Sequence, residues 1–265
     1  MNNNDVILAL DVSTACIGAT LIINDNVNKP KIAKITHIVP KVSSKIKGIE
    51  SLFLKKEIFE KEFLLPLKNY TINHVVIEEP LLSSNNVITV STLLRFNGMI
   101  SESIYRILGI VPEYISSYDA RKYSFPELMS IRKYNKKGQL YTPQNVEKSI
   151  KNEHLVLFGS YPYDVDKKTV MMNLVCDLYN DIEWIYNKKG ELRKENYDAC
   201  DSLVCALAFI NIKKYGKDEF HIVDYNVEKL TNQCIYNYKV KIWDFFFDKK
   251  IVIPTLPDNN LKKKK

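Results

Sequence analysis

Val6-Ile7-Leu8-Ala9-Leu10 is an unbroken apolar run, as expected of a strand buried on both faces. Asp11-Val12-Ser13-Thr14 interrupts it. Residues 16–23 (Cys-Ile-Gly-Ala-Thr-Leu-Ile-Ile) predict a second strand that ends in the turn Asn24-Asp25-Asn26, and residues 31–39 predict a third. Connections this short pair the three strands antiparallel. Ile46 to Lys68 has apolar residues near helical spacing among Lys and Glu, which predicts a helix. A buried strand follows over Ile72 to Glu78, around Val75-Val76-Ile77. A long helical connection of this kind favours a parallel crossover onto the sheet. Residues 86–108 predict a second helix through Val90, Leu93, Leu94, Ile100 and Ile104, and Ile110 to Ser116 a fifth strand. The order βββαβαβ makes this an α/β protein with a mixed five-stranded sheet flanked by helices.

Beyond Asp119 the periodicity loosens. Residues 127–163, which include Arg132, Lys133, Lys136 and Lys137, read as an insertion. Periodicity returns over Lys167 to Tyr186, a polar turn lies at Lys188-Lys189-Gly190, and the last clear helix is Asp198 to Lys214. Residues 1–215 therefore read as one domain. Residues 216–265 read as a basic extension whose final four lysines form a tail.

With 46% hydrophobic and 26% charged residues in 265, the chain buries a sizeable core, and global disorder is excluded. The longest largely apolar run, Leu203 to Ile212, is about half the ~20 residues a membrane span needs. No membrane partner is expected, and the opening Met1-Asn2-Asn3-Asn4-Asp5 does not resemble a signal peptide. The five cysteines form no CxxC pair and read as free thiols in a reducing cytoplasm. Lys, Asn, Ile and Tyr are abundant, which suits an AT-rich genome and a bacterial or phage-infected host. Eight glycines weigh against folds built from several Gly-rich phosphate loops. The net charge is +7, and from residue 210 onward 12 lysines face 7 acids. Such a balance suits a polyanionic partner, although a solvated lysine-rich surface produces it too.

Four carboxylates change this picture. Asp11 and Glu78 each end a strand of pure hydrocarbon. If those strands are adjacent and parallel, both acids emerge at the carboxyl edge, where open α/β sheets bind ligands. Glu79 alternates to the other face in an extended chain, so Glu78 is preferred, although a bulge would exchange the two. Asp198 and Asp201 share one face of a helix that is apolar almost all round. Each acid alone also serves as a turn or cap residue. Together they gather like charges in a cleft, which is costly unless cations neutralise them. Oxygen-only ligation points to Mg²⁺ or Mn²⁺, and two such ions suit phosphoryl transfer on a nucleic-acid backbone.

The segments Ile7-Leu8-Ala9-Leu10-Asp11-Val12-Ser13, Val76-Ile77-Glu78 and Asp198-Ala199-Cys200-Asp201-Ser202-Leu203 resemble the RuvC-type Holliday junction resolvases of the RNase H-like, retroviral integrase superfamily. The resemblance covers residues 5–125 and 164–214. It implies an RNase H-like fold and a homodimer that nicks four-way DNA junctions, with Asp11, Glu78, Asp198 and Asp201 holding two Mg²⁺ (or Mn²⁺) ions per site. It further implies that Lys167 touches the scissile phosphate, with Lys168 second. Such proteins carry a further basic residue where Ser124 stands here, with Arg121 or Lys122 near it, and Pro80, Leu81 and Leu82 stand where they carry a junction-opening aromatic. The insertion and the extension are additional to the compact bacterial form.

Four other readings compete. A sugar-kinase or actin-like ATPase needs a second hairpin motif and Gly-rich nucleotide contacts, and neither is present. A proofreading exonuclease needs Asp-x-Glu on the first strand, where Ser13 stands instead. An RNase H-like nuclease acting on RNA–DNA hybrid or flap DNA, or a catalytically idle DNA-binding protein, shares the expected fold. An idle protein is expected to have lost carboxylates, and all four are retained.

Overall fold

A computed structural model describes residues 5–25, 29–80, 86–128 and 167–254. The chain divides into two compact units, one of Met1–Ser124 and Asp166–Lys214, the other of Phe125–Val165 and Tyr215–Lys265.

The first unit is built on a sheet of five strands: β1 (Asp5–Val12), β2 (Ile17–Asn24), β3 (Lys31–Ile38), β4 (His74–Glu78) and β5 (Glu113–Ile115). Their spatial order is β3-β2-β1-β4-β5. β1, β2 and β3 pair antiparallel, while β1–β4 and β4–β5 pair parallel. This is the RNase H-like arrangement expected from the sequence. β1 is central because its run Ile7-Leu8-Ala9-Leu10 is fully buried on both faces.

Side-chain alternation divides those faces. Leu8, Leu10 and Val12 pack with Ile17, Ala19, Leu21, Val75 and Ile77. Against them lie α1 (Gly48–Phe59) and α3 (Val87–Leu108), through Phe59, Phe96, Ile100 and Ile104. α1 continues through a π-turn at Glu60–Leu64 into a last turn, α2 (Leu65–Leu67). Glu60 accepts from Ser103 and pairs with Lys56 and Arg106, which ties this irregular stretch to α3.

On the alternate positions, Ile7, Ala9 and Asp11 share a face with Gly18 and Thr20, their register partners or neighbours on β2, and with Val76 and Glu78 on β4. This face receives the helix α6 (Glu195–Tyr215), which is buried from Ser202 through Ile210. Its start rests on main chain: a Cβ added at Gly18 would fall 1.9 Å from the carbonyl oxygen of Asp198. Glycine within a strand marks such a close approach. The buried Thr20 and Ser202 hydroxyls, 2.8 Å apart, fix the next turn. Two shorter helices complete the unit, α4 (Ser117–Ser124) and α5 (Lys167–Leu178).

α6 begins three residues before the expected start, so Asp198 sits inside its first turn rather than at the cap. α4 has no counterpart in the sequence reading, because Ser117–Ser124 is polar and its mean hydropathy hides the inward side formed by Ala120 and Tyr123.

The second unit contains an antiparallel sheet of β6 (His221–Lys229), β7 (Gln233–Ile242) and β8 (Phe245–Pro254). It lies in the region read as a basic extension. Leu230 N donates to Gln233 O across the first hairpin. Trp243 turns the second with φ 52°, a conformation uncommon for a bulky residue. Its indole is anchored by donation to Gly216 O at 2.9 Å and by edge-on packing with Phe245. The basic segment 130–137 and the lysine tail lie outside the described residues. Among the described residues, no helix is long and apolar enough to cross a membrane.

Candidate metal centre

The register brings the first two acids together. Leu10 pairs with Ile77 in the parallel β1–β4 ladder, so the next residues, Asp11 and Glu78, leave the two strands side by side on the α6 face. Glu79, one residue on, is exposed and donates its N–H to Ile115 O at 2.8 Å, extending the ladder to β5. Alternation thus directs Glu78 inward and Glu79 out. The strand exit is pinned from several sides. Ser13 Oγ donates to Cys16 O at 2.8 Å, Lys55 Nζ donates to Thr14 O at 2.6 Å, and Asn97 Nδ2 reaches Val12 O at 3.4 Å.

Asp201 arrives from α6. One carboxylate oxygen each of Asp11, Glu78 and Asp201 lies within 4.8 Å of the others, a grouping able to hold a metal ion. Asp198, one turn earlier, stands beside this trio rather than within it. Lys168, near the start of α5, joins the two helical acids: its Nζ is 3.5 Å from Asp201 Oδ2 and 3.9 Å from Asp198 Oδ1.

The electrostatics follow from crowding. Burial first, then the charges of Glu78, Asp201 and Asp198, hold Asp11 well above the ordinary carboxylate range, and Lys168 offsets only part of this. Burial, reinforced by Asp201, raises Glu78 to about 7 against the pull of Arg121 and Lys168. Burial also raises Asp201, although Lys168 and Arg121 oppose it. Burial lowers Lys168, but Asp201, Asp198 and Asp11 more than compensate and leave it above its usual value. Crowding of this kind disfavours the ionised forms, and a hard cation would reverse that. The donor set is all oxygen, with no imidazole in the grouping, so the residues fit Mg²⁺ or Mn²⁺ better than a soft metal.

Two thiols lie behind the acids. Cys205 Sγ is 3.8 Å from Glu78 Oε2, and Cys16 hydrogen-bonds Asp198. Burial, followed by Glu78, pushes the Cys205 thiol far up, so it stays protonated.

The other sequence candidates are placed as follows. Arg121, on α4, directs its charge at Glu78 and Asp201. Lys122 is 1% exposed and belongs to the packed side of α4, with Nζ 4.9 Å from the centroid of the Tyr123 ring. Lys167 opens α5, and its side chain lies outside the described residues; Lys168 meets the two helical acids. Leu81 and Leu82 also lie outside the described residues. Sequence reasoning does not reach the cysteines or Gly18 as site residues. Gly18 carries the one legible signal, a glycine inside an apolar strand.

The fold and the acid grouping together define an α/β protein of the RNase H-like class, with carboxylates gathered at one edge of the sheet. No protein-family model matches the chain, and no curated protein does. Among solved structures it is similar to Thermus thermophilus RuvC in complex with a Holliday junction substrate, at 12% identity and a TM-score of 0.51, over 80% of this chain and 96% of that one. Another Thermus thermophilus RuvC structure gives 12% and 0.47, over 80% and 96%. The yeast mitochondrial Holliday junction resolvase Ydc2 gives 10% and 0.43, over 82% and 83%. The first of these likenesses gives the fold as RuvC-type.

Proposed function

We propose that this protein is a metal-dependent endonuclease that cuts branched DNA, with the four-way junction as its preferred substrate. The observation that carries the reading is the meeting of Asp11, Glu78 and Asp201, from two strands and a helix far apart in sequence, on a RuvC-type fold. Structural aspartates at strand exits have no reason to converge, because convergence raises their energy. Asp11, Glu78 and Asp201, with Asp198 beside them, would hold two divalent cations, Mg²⁺ or Mn²⁺. When bound, these supply a water nucleophile at neutral pH and stabilise the leaving 3′ oxygen.

The protein's own groups set the rest. Lys168, tethered to Asp201 and Asp198 yet with a side chain 56% exposed, is the cation best placed to meet the scissile phosphate. Arg121 adds positive charge on the same side. The packed sheet fixes Asp11 and Glu78 in advance, so little reorganisation is needed on binding. A two-fold junction cut on two opposed strands calls for two sites facing one another, so the working form is a homodimer.

The test is nicking of synthetic four-way junctions in Mg²⁺, compared with linear duplex, flap DNA and an RNA–DNA hybrid. The expected result is junction cleavage that EDTA abolishes. Equal cutting of the hybrid or the flap would reassign the substrate. Junction binding without cutting in Mg²⁺ or Mn²⁺ would leave a DNA-binding protein on this fold.

A further inference from the structure

Cys205 lies four residues after Asp201 and seven after Asp198, so helical spacing sets all three on one side of α6. Its neighbours Leu203, Val204, Ala206 and Leu207 are buried and apolar, and packing alone asks there only for a small hydrophobe. Cys205 is fully buried, yet its Sγ lies 3.8 Å from Glu78 Oε2. Among the described residues, no other side chain donates a hydrogen bond to Glu78. Burial and the charge of Asp201 oppose ionisation of Glu78, Arg121 and Lys168 act on it through their charges, and of these groups Cys205 is the one that holds a Glu78 oxygen by a hydrogen bond. Cys16 also lies beside Asp198, so two of the acids each have a thiol neighbour. The chemistry of a thiol fits this position, since it packs as a small apolar group and donates weakly.

We propose that Cys205 is a positioning residue for the metal centre, its buried S–H holding Glu78 Oε2 so that the carboxylate faces Asp11 and Asp201. The inference rests on the metal-dependent reading above and deepens it. Outer partners of this kind typically alter metal affinity by about 10–100-fold, and a weak thiol donor belongs at the low end.

The experiment is Mn²⁺ titration of the full chain by calorimetry, without DNA, for wild type, Cys205→Ala, Cys205→Val and Cys205→Ser. Melting temperatures in EDTA are recorded alongside to confirm that each variant is folded. Ala and Val remove the donor, and Val keeps more of the volume should Ala fail to fold. Both are expected to weaken Mn²⁺ binding on the order of tenfold, and Ser, which restores a donor, is expected to recover most of that loss. Wild-type affinity in a folded Ala or Val variant would overturn the inference, as would a Ser variant no better than Ala. A wild-type chain that binds no Mn²⁺ would instead overturn the metal-centre reading itself.

Discussion

Asp11 is heavily burdened, since burial and then every acid around it raise the energy of its ionised form. Asp11→Asn should therefore abolish cleavage of four-way junctions while leaving binding largely intact. The same substitution should raise the melting temperature in EDTA at pH 8, because it removes one charge from a desolvated group of like charges. Lys168→Met separates affinity from chemistry. With no ammonium competing for Asp201 and Asp198, Mn²⁺ should bind several-fold more tightly by calorimetry, while junction cleavage falls. At this scale the acids are legible because a hydrocarbon run leading into a carboxylate is hard to explain otherwise. The lysines are not. Lys168's place beside Asp201 and Asp198 depends on the phase of a helix start to one residue, and a buried lysine such as Lys122 carries no mark in sequence.

At the scale of elements, the contact between β2 and α6 fixes how far Asp198 and Asp201 stand from the sheet. Gly18→Ala places a methyl where Asp198's carbonyl already lies. It should lower stability by roughly 1–3 kcal/mol, read by urea unfolding, and weaken Mn²⁺ binding in the fraction that folds. Thr20→Val removes one partner of a buried hydroxyl pair and should cost about 1 kcal/mol. The five strands are readable because each is either wholly apolar or bounded by clear turn residues. The β6–β8 sheet is harder. From Tyr236 onward β7 alternates, with Tyr236, Tyr238, Val240 and Ile242 buried, but β6 is largely exposed along its length, so half of its first hairpin lacks the apolar signature of a strand.

For the whole molecule, the acid cluster makes stability depend on pH. Glu78's ordinary value is 4.5 and its value in the fold is about 7, so between those limits the native state binds more protons than the unfolded chain. Its contribution is intact below pH ~4.5 and lost as the pH rises to about 7. In EDTA the protein should thus be more stable at pH 5 than at pH 8, by a few kcal/mol at most, and saturating Mg²⁺ should flatten the profile. Chemical denaturation at the two pH values checks this. Light scattering should give twice the 30.8 kDa chain mass if the homodimer is the working form. The acids also impose an order in time. Asp11 and Glu78 leave the ribosome well before Asp201. A nascent or prematurely terminated product that ends before α6 therefore carries an incomplete set of the acids that meet at the sheet edge.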